Sequence, residues 1–244
     1  MFLVELFPLA YADVVFSDEA VVIRRLLFED HFLVTAFFVD DEGAFYFHEE
    51  FSVYSMKVIR KKSRDPRPTR RTIALFGGAF NPPHQGHVSM VRILLKQKEI
   101  DQVWVLPVWR HPFAKDLVPF KTRLAMCHLA FSGLSKRVTV KRIEAQLQGT
   151  SYTVRTLKSL TKRYPGTRFM LVIGADSYKR RKRWKKFETV EQLADLIVFP
   201  RGPKSTIPNV SSTDFRTQQR LARSSEALLP RSVDAYIVRN SVYS

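Results

Sequence analysis

From Thr72 onward the chain alternates short apolar runs with helix-length amphipathic segments, and that alternation constrains its fold more than any other feature. Strands are predicted at 73–76, 103–108, 138–143, 169–173 and 196–199. Helices are predicted at about 86–97, 121–132, 152–164 and 188–194 between them, then at 212–222 and 231–238. Alternation of this kind predicts an α/β fold, a doubly wound parallel sheet flanked by helices. Ligands in such folds bind beyond the carboxyl ends of the strands, so residues directly after a strand carry most weight.

At 244 residues the chain holds one large α/β domain, or one domain with a short appendage. No apolar stretch reaches the roughly 18 to 20 residues that span a bilayer. Met1-Phe2-Leu3-Val4-Glu5 has no basic region ahead of its apolar residues, which makes it a poor secretory signal. Cys127 is the single cysteine, so no intrachain disulfide forms. Its apolar, helix-like surroundings predict a buried structural thiol, and a cytoplasmic setting is expected.

Charge divides the chain. The formal net charge is +17, yet residues 1–55 hold two arginines, no lysine and eleven acids, for a net of −9. The rest carries 38 basic and 12 acidic groups, which points to polyanionic partners: nucleotides, nucleic acid or an anionic surface. Between the two lies a basic run, 57–71, broken by Pro66 and Pro68. The expected organisation is therefore an N-terminal extension at 1–55, a basic linker at 56–71 and the α/β domain at 72–244. Within the extension, His31–Val39 and 44–54 read as a possible hairpin around Asp40-Asp41-Glu42-Gly43. Because Met56 would make a start of its own, three readings of 1–55 stand open: an accessory extension, upstream sequence not translated in the cell, or a domain whose acids dock on the basic body.

The first strand runs into Gly77-Gly78-Ala79-Phe80-Asn81-Pro82-Pro83-His84-Gln85-Gly86-His87. The glycines let backbone approach a phosphate closely, and Gly86-His87 open a helix whose N–H groups favour anions. His84 and His87, three apart on that opening turn, can face one ligand. There is no Gly-Lys-Ser/Thr, so this is not a P-loop. Farther on, Ser211-Ser212-Thr213 form a hydroxyl-rich helix start from which Arg216 projects.

His84-x-Gly86-His87 after a Gly-Gly turn resembles the signature of the nucleotidyltransferase superfamily, and Ser211-Ser212-Thr213-Asp214-Phe215-Arg216 resembles its Ser-Ser-Thr-x-x-Arg element. Gly149-Thr150-Ser151-Tyr152-Thr153, Ile173-Gly174-Ala175-Asp176 and the following Trp184 resemble elements of the nicotinate-nucleotide adenylyltransferases. The resemblance covers about 72–240 and implies a Rossmann-like sheet of the nucleotidyltransferase type. It implies that His84, His87 and Arg216 hold the ATP phosphates, and that Gly77, Gly78, Phe80, Asp176, Ser211, Ser212 and Thr213 also serve ATP, Asp176 at ribose hydroxyls. Asn81, Lys115, Thr150 and Trp184 would serve the pyridine nucleotide, Trp184 by stacking. The partners implied are ATP, with Mg²⁺ carried on it, and a pyridine mononucleotide, without a membrane.

The implied reaction is in-line attack of the mononucleotide phosphate on the ATP α-phosphorus, in which catalysis is positioning plus charge neutralisation. No carboxylate cluster offers a protein-only cage, so Mg²⁺ would arrive on phosphate oxygens. Two departures stand out. His111-Pro112-Phe113-Ala114-Lys115 replaces the family's Pro-Pro-His-Lys loop, and Lys185 follows Trp184 where an aromatic residue is usual. Seven of the eight residues 179–186 are basic, which reads mostly as a solvated face. Nicotinamide mononucleotide and phosphopantetheine are the alternative acceptors. A non-catalytic nucleic-acid-binding protein using that run is the alternative class, and it leaves the histidines and Arg216 unexplained.

Overall fold

Apolar runs too short to form helices here become the strands of a parallel sheet. The computed structural model describes the backbone of four strands between residues 14 and 50, then residues 56–59 and 71–243 without 114–115, 201–204, 206, 209 and 221–227. It divides into two units, Met1–Lys57 and Val58–Ser244. In the first, β1 (Val14–Ser17), β2 (Ala20–Phe28), β3 (His31–Val39) and β4 (Phe45–Glu50) form an antiparallel sheet in sequence order. β3 and β4 pair from Val39 with Phe45 to Val34 with Glu50, over the stretch where the sequence predicts a hairpin. β1 and β2 were not expected from the sequence. Three strands or more are what a hairpin needs for independent stability.

The second unit is built on six strands: β5 (Lys57–Ile59), β6 (Arg71–Gly78), β7 (Gln102–Pro107), β8 (Val138–Val140), β9 (Thr167–Gly174) and β10 (Asp195–Phe199). Their order is β5-β10-β9-β6-β7-β8. β6 pairs in parallel with β7 on one side and β9 on the other, so the winding reverses at β6. The crevice beyond such a reversal is where open α/β sheets take ligands. Lys57–Ile59, expected inside a linker, is instead the edge strand beside β10.

Helices α1 (Gln85–Lys96), α2 (Phe120–Phe131), α3 (Ile143–Leu147), α4 (Thr153–Arg163), α5 (Ala175–Lys179), α6 (Phe187–Leu193), α7 (Ser212–Arg220) and α8 (Arg231–Arg239) complete the unit. α1 buries Val88, Val91 and Leu94, and α4 buries Val154, Leu157 and Leu160, each at spacing three, which keeps one face on the sheet. Lys162 and Arg163 close α4 where its dipole favours cations. At the amino ends of β9 and β10, Arg168 Nε donates to the buried Asp195 carboxylate at 2.7 Å.

The strand expected at 138–143 is shorter. β7 pairs with β8 only as far as Val105 with Val140, and once that partner is used up the chain turns at Arg142 into α3. α3, α5 and a 3₁₀ turn at Arg181–Arg183 are too short to leave a period in the sequence. Cys127 is buried in α2, and burial pushes its thiol well above the ordinary range. Among the described residues no helix is long and apolar enough to cross a membrane.

Candidate active site

The site begins where β6 ends. A Cβ on Gly77 would enter open space, whereas one on Gly78 would meet the Phe80 ring at 3.0 Å. Phe80 holds a left-handed φ of 45°, and its ring packs edge-on to Phe76 at 5.4 Å and Phe131 at 5.6 Å. Expected on the ATP side, that ring is buried in the core, so only the backbone of Phe80 faces outward chemistry. The ring also supports His87 from below, centroids 5.0 Å apart.

His84 caps α1 in extended conformation and His87 lies one turn on, their rings stacked at 3.6 Å. The His84 N–H donates to His87 Nδ1 at 3.2 Å. An N–H can meet only an unprotonated Nδ1, so a neutral His87 carries its proton on Nε2, ready to donate to an anion. His84 is buried and His87 half-buried. Gly86 sits tightly between them: a Cβ there would meet His84 Nδ1 and the Pro208 carbonyl, both at 3.1 Å, so these neighbours would have to move by a few tenths of an ångström.

That contact is one of several by which α7 docks onto the loop. Ser212 Oγ donates to the Pro82 carbonyl at 2.8 Å, and Arg216 Nη1 donates to the Asn81 carbonyl at 2.6 Å. Ser211 caps α7 reciprocally: its Oγ accepts from the Asp214 N–H and its N–H donates to Asp214 Oδ2, both at 3.1 Å. Such a cap contributes about 1 kcal/mol and holds the first turn open to an anion. Thr213 Oγ1 accepts from Arg216 Nη2 at 3.3 Å, so the three hydroxyls are engaged locally; the Asp214 N–H is taken by the cap, and the orphan donors of the first turn are the N–H groups of Ser212 and Thr213.

Asn81, expected beside the pyridine nucleotide, turns its side chain inward. Oδ1 accepts from the Val118 N–H at 3.2 Å and the Tyr243 hydroxyl at 2.8 Å, and Nδ2 donates to the Asp116 carbonyl at 3.4 Å. Nearby, the buried Arg123 of α2 donates to the carbonyls of Val118 at 3.0 Å, Ala79 at 3.0 Å, Val108 at 2.7 Å and Trp109 at 3.5 Å. One guanidinium thus ties together the loops after β6 and β7. A groove of about 360 Å³ opens there, lined among others by Trp109, His111, Asp116, Phe120 and Arg123. Lys115 lies outside the described residues.

Just before α4, Ser151 holds the loop that lines this groove. Ser151 Oγ accepts the N–H groups of Trp109 at 3.0 Å and Arg110 at 3.3 Å, and the Ser151 N–H returns to the Arg110 carbonyl at 2.9 Å. Thr150 precedes it, half-buried. Beneath lies Glu144, 8% exposed, whose Oε1 takes a long bond from the Thr156 hydroxyl at 3.4 Å while Oε2 has no well-formed one. Burial raises its pKa, opposed by the neighbouring Ser151 hydroxyl, the Trp109 N–H, Thr156 and Arg123.

Across the crevice, Asp176 is exposed on the first turn of α5, directly after β9. Trp184 is half-buried against the core, edge-on to Phe187 at 5.7 Å. Of the basic run, Arg181 stacks on its neighbour Tyr178 at 4.3 Å, while Arg183 lies over Phe113 at 5.1 Å and Lys185 over Tyr152 at 4.6 Å. Those last two reach toward the β7 loop and the α4 start, so the run is not wholly a solvated face. The loop after β6 and the first turn of α7 therefore meet directly. Arg123, Glu144 and Tyr243 were missed from the sequence. An arginine, a glutamate and a tyrosine within apolar stretches are the signal that was available, but burial cannot be read at single positions.

A cytidylyltransferase-like family model matches residues 75–218. The chain is 39% identical over 184 residues to the "Probable nicotinate-nucleotide adenylyltransferase" of Anaeromyxobacter dehalogenans, covering 71% of this chain and 97% of that protein. It is 34% identical over 178 residues to the protein of the same name in Myxococcus xanthus, covering 70% and 94%. Among solved structures it is similar in fold to Plasmodium falciparum nicotinic acid mononucleotide adenylyltransferase complexed with NaAD, with a TM-score of 0.61, 20% identity, and coverage of 71% of this chain and 98% of that one.

Proposed function

The chain belongs to the nicotinate-nucleotide adenylyltransferase family, within the cytidylyltransferase-like group, and from that premise we propose that it transfers AMP from ATP to nicotinate mononucleotide, giving deamido-NAD and pyrophosphate. The observation that carries this reading is the meeting of two helix starts: Arg216 and Ser212 of α7 bond the loop that carries His84 and His87. A polyphosphate lying between two such N-termini meets N–H donors from both, the histidines of one and the guanidinium of the other.

The mononucleotide phosphate attacks the α-phosphorus in line with the leaving pyrophosphate, and no covalent enzyme intermediate is needed. His87, its proton held on Nε2, donates to the α-phosphate oxygens as charge grows there. His84, Arg216 and the N–H groups of Ser212 and Thr213 neutralise the departing phosphates, with Ser211 capping that turn, while Gly77, Gly78 and the Phe80 backbone allow close approach. Asp176 takes ribose hydroxyls. On the acceptor side Thr150 and Trp184 hold the pyridine nucleotide with Lys115, and Asn81 acts through the loop it pins. Among the described residues no group of three or more His, Cys, Asp and Glu side chains could hold a metal ion. These donors suit Mg²⁺ arriving on ATP, where it would supply charge neutralisation at the β- and γ-phosphates.

The test is pyrophosphate release from ATP and Mg²⁺ with each of three acceptors. Release with nicotinate mononucleotide well above that with nicotinamide mononucleotide and phosphopantetheine is expected. Equal or greater release with either of the others would overturn the assignment of the acceptor.

A further inference from the structure

Tyr243 lies four residues beyond α8, yet its hydroxyl reaches the nucleotide loop and donates to Asn81 Oδ1 at 2.8 Å. Asn81 is the point at which four segments meet. Its own loop leads from β6 to the histidines; Asp116 and Val118 come from the approach to α2; Arg216 comes from α7; and Tyr243 follows α8. Val118 and Tyr243 both donate to Oδ1, and Nδ2 is turned to the Asp116 carbonyl, so bonds at both ends of the amide fix its orientation. The Asn81 carbonyl in turn receives Arg216 Nη1. The Tyr243 ring is held edge-on at 5.8 Å by Phe215, which is fully buried and immediately precedes Arg216.

We propose that Tyr243 is a positioning residue for the ATP-phosphate site: by fixing Asn81 and bracing Phe215 it sets where Arg216 stands against the histidine loop. Both arms of the contact converge on one side chain. The hydroxyl orients the residue whose carbonyl anchors the guanidinium, and the ring packs on the residue next to Arg216 in α7. Burial pushes the Tyr243 phenol far above its ordinary pKa, which keeps its hydroxyl protonated and able to donate. The proposal rests on the assignment of Arg216 to the phosphates.

Tyr243→Phe keeps the ring and deletes the donor, and Tyr243→Leu deletes both. Each is compared with the full chain for Mg-ATP affinity by calorimetry, without acceptor, and for turnover with nicotinate mononucleotide. Loss of one net hydrogen bond corresponds to about a 3- to 10-fold effect. Tyr243→Phe is expected to weaken ATP binding or lower kcat/KM for ATP by about that factor; Tyr243→Leu should cost more. In an Arg216→Ala background the Tyr243→Phe effect should disappear, because Tyr243 acts through Arg216. If Tyr243→Phe loses thermal stability yet, while folded, binds and turns over ATP as the full chain does, the role is structural and the proposal is overturned. An equal effect with and without Arg216 overturns it as well. Failure of the reaction assignment would look different: the unaltered chain would bind Mg-ATP but release no pyrophosphate with nicotinate mononucleotide, and the calorimetric comparison would still decide the role of Tyr243.

Discussion

A single backbone N–H, that of His84, decides which nitrogen of His87 can donate. His87→Ala removes that donor from the reacting centre and should lower turnover by roughly 10² to 10³, the scale of losing one transition-state charge stabiliser. Steady-state kinetics on the folded variant checks this, and near-normal turnover would remove His87 from the mechanism. Trp184→Ala should raise KM for the pyridine mononucleotide more than KM for ATP, since a stacking face touches one substrate only. Its contact with Phe187 makes thermal melting the necessary companion measurement; equal effects on both KM values, or simple unfolding, would assign the ring to packing. Glu144 gives a third test. Because burial raises its pKa, the folded protein holds that proton more tightly than the unfolded chain, so its contribution to stability is present at low pH and is lost as pH rises from the ordinary carboxylate range. Glu144→Gln should therefore melt progressively higher relative to the unaltered chain as pH rises from about 4. A melting difference that does not change with pH would contradict this. At this scale His84 and His87 stood out in the sequence as candidates because their residue type is rare directly after a strand. What could not be read there is that the side chains of Phe80, Asn81 and His84 are all buried, since residue type alone does not give burial at a single position.

At the scale of elements, α7 and the start of α1 form one device, and Gly86 is its tightest point. Gly86→Ala should push the Pro208 segment away, and with it the capped first turn of α7. The expected result is a loss of 1 to 3 kcal/mol in stability, on the order seen for overpacking, with a larger loss in kcat/KM for ATP than for the acceptor. A fully stable variant with ordinary ATP kinetics would show that the two helix starts tolerate separation. The α1 and α4 periods were legible because each buries three residues at constant spacing over a length sufficient to establish a pattern. α3, α5 and the turn at Arg181–Arg183 were not, since one turn contains no repeat. The end of β8 was missed for a related reason: a strand stops where its neighbour's pairing stops, and that is a property of the partner.

For the molecule as a whole, the division at Lys57 separates an acidic, antiparallel unit from a basic, parallel one. Every proposed site residue belongs to the second. A variant beginning at Met56 retains β5 and should fold and keep kcat/KM for both substrates within about twofold, measured beside the full chain. Insolubility or inactivity of that shorter chain would show that residues 1–55 are needed, and intact-mass measurement of the protein from cells would establish where translation begins. The parallel sheet was foreseeable because strands and helices alternate in order, whereas β1 and β2 lie in a stretch whose apolar residues follow no clear period. The guanidinium of Arg123 carries a consequence for how such a sequence drifts over generations. Its hydrogen bonds go to four carbonyl oxygens, groups that every residue possesses. Ala79, Val108, Trp109 and Val118 are thus free, as far as this arginine is concerned, to be exchanged for other residues, while the arginine itself is not. Two homologous loops could look unrelated letter by letter and still be gathered by the same cation.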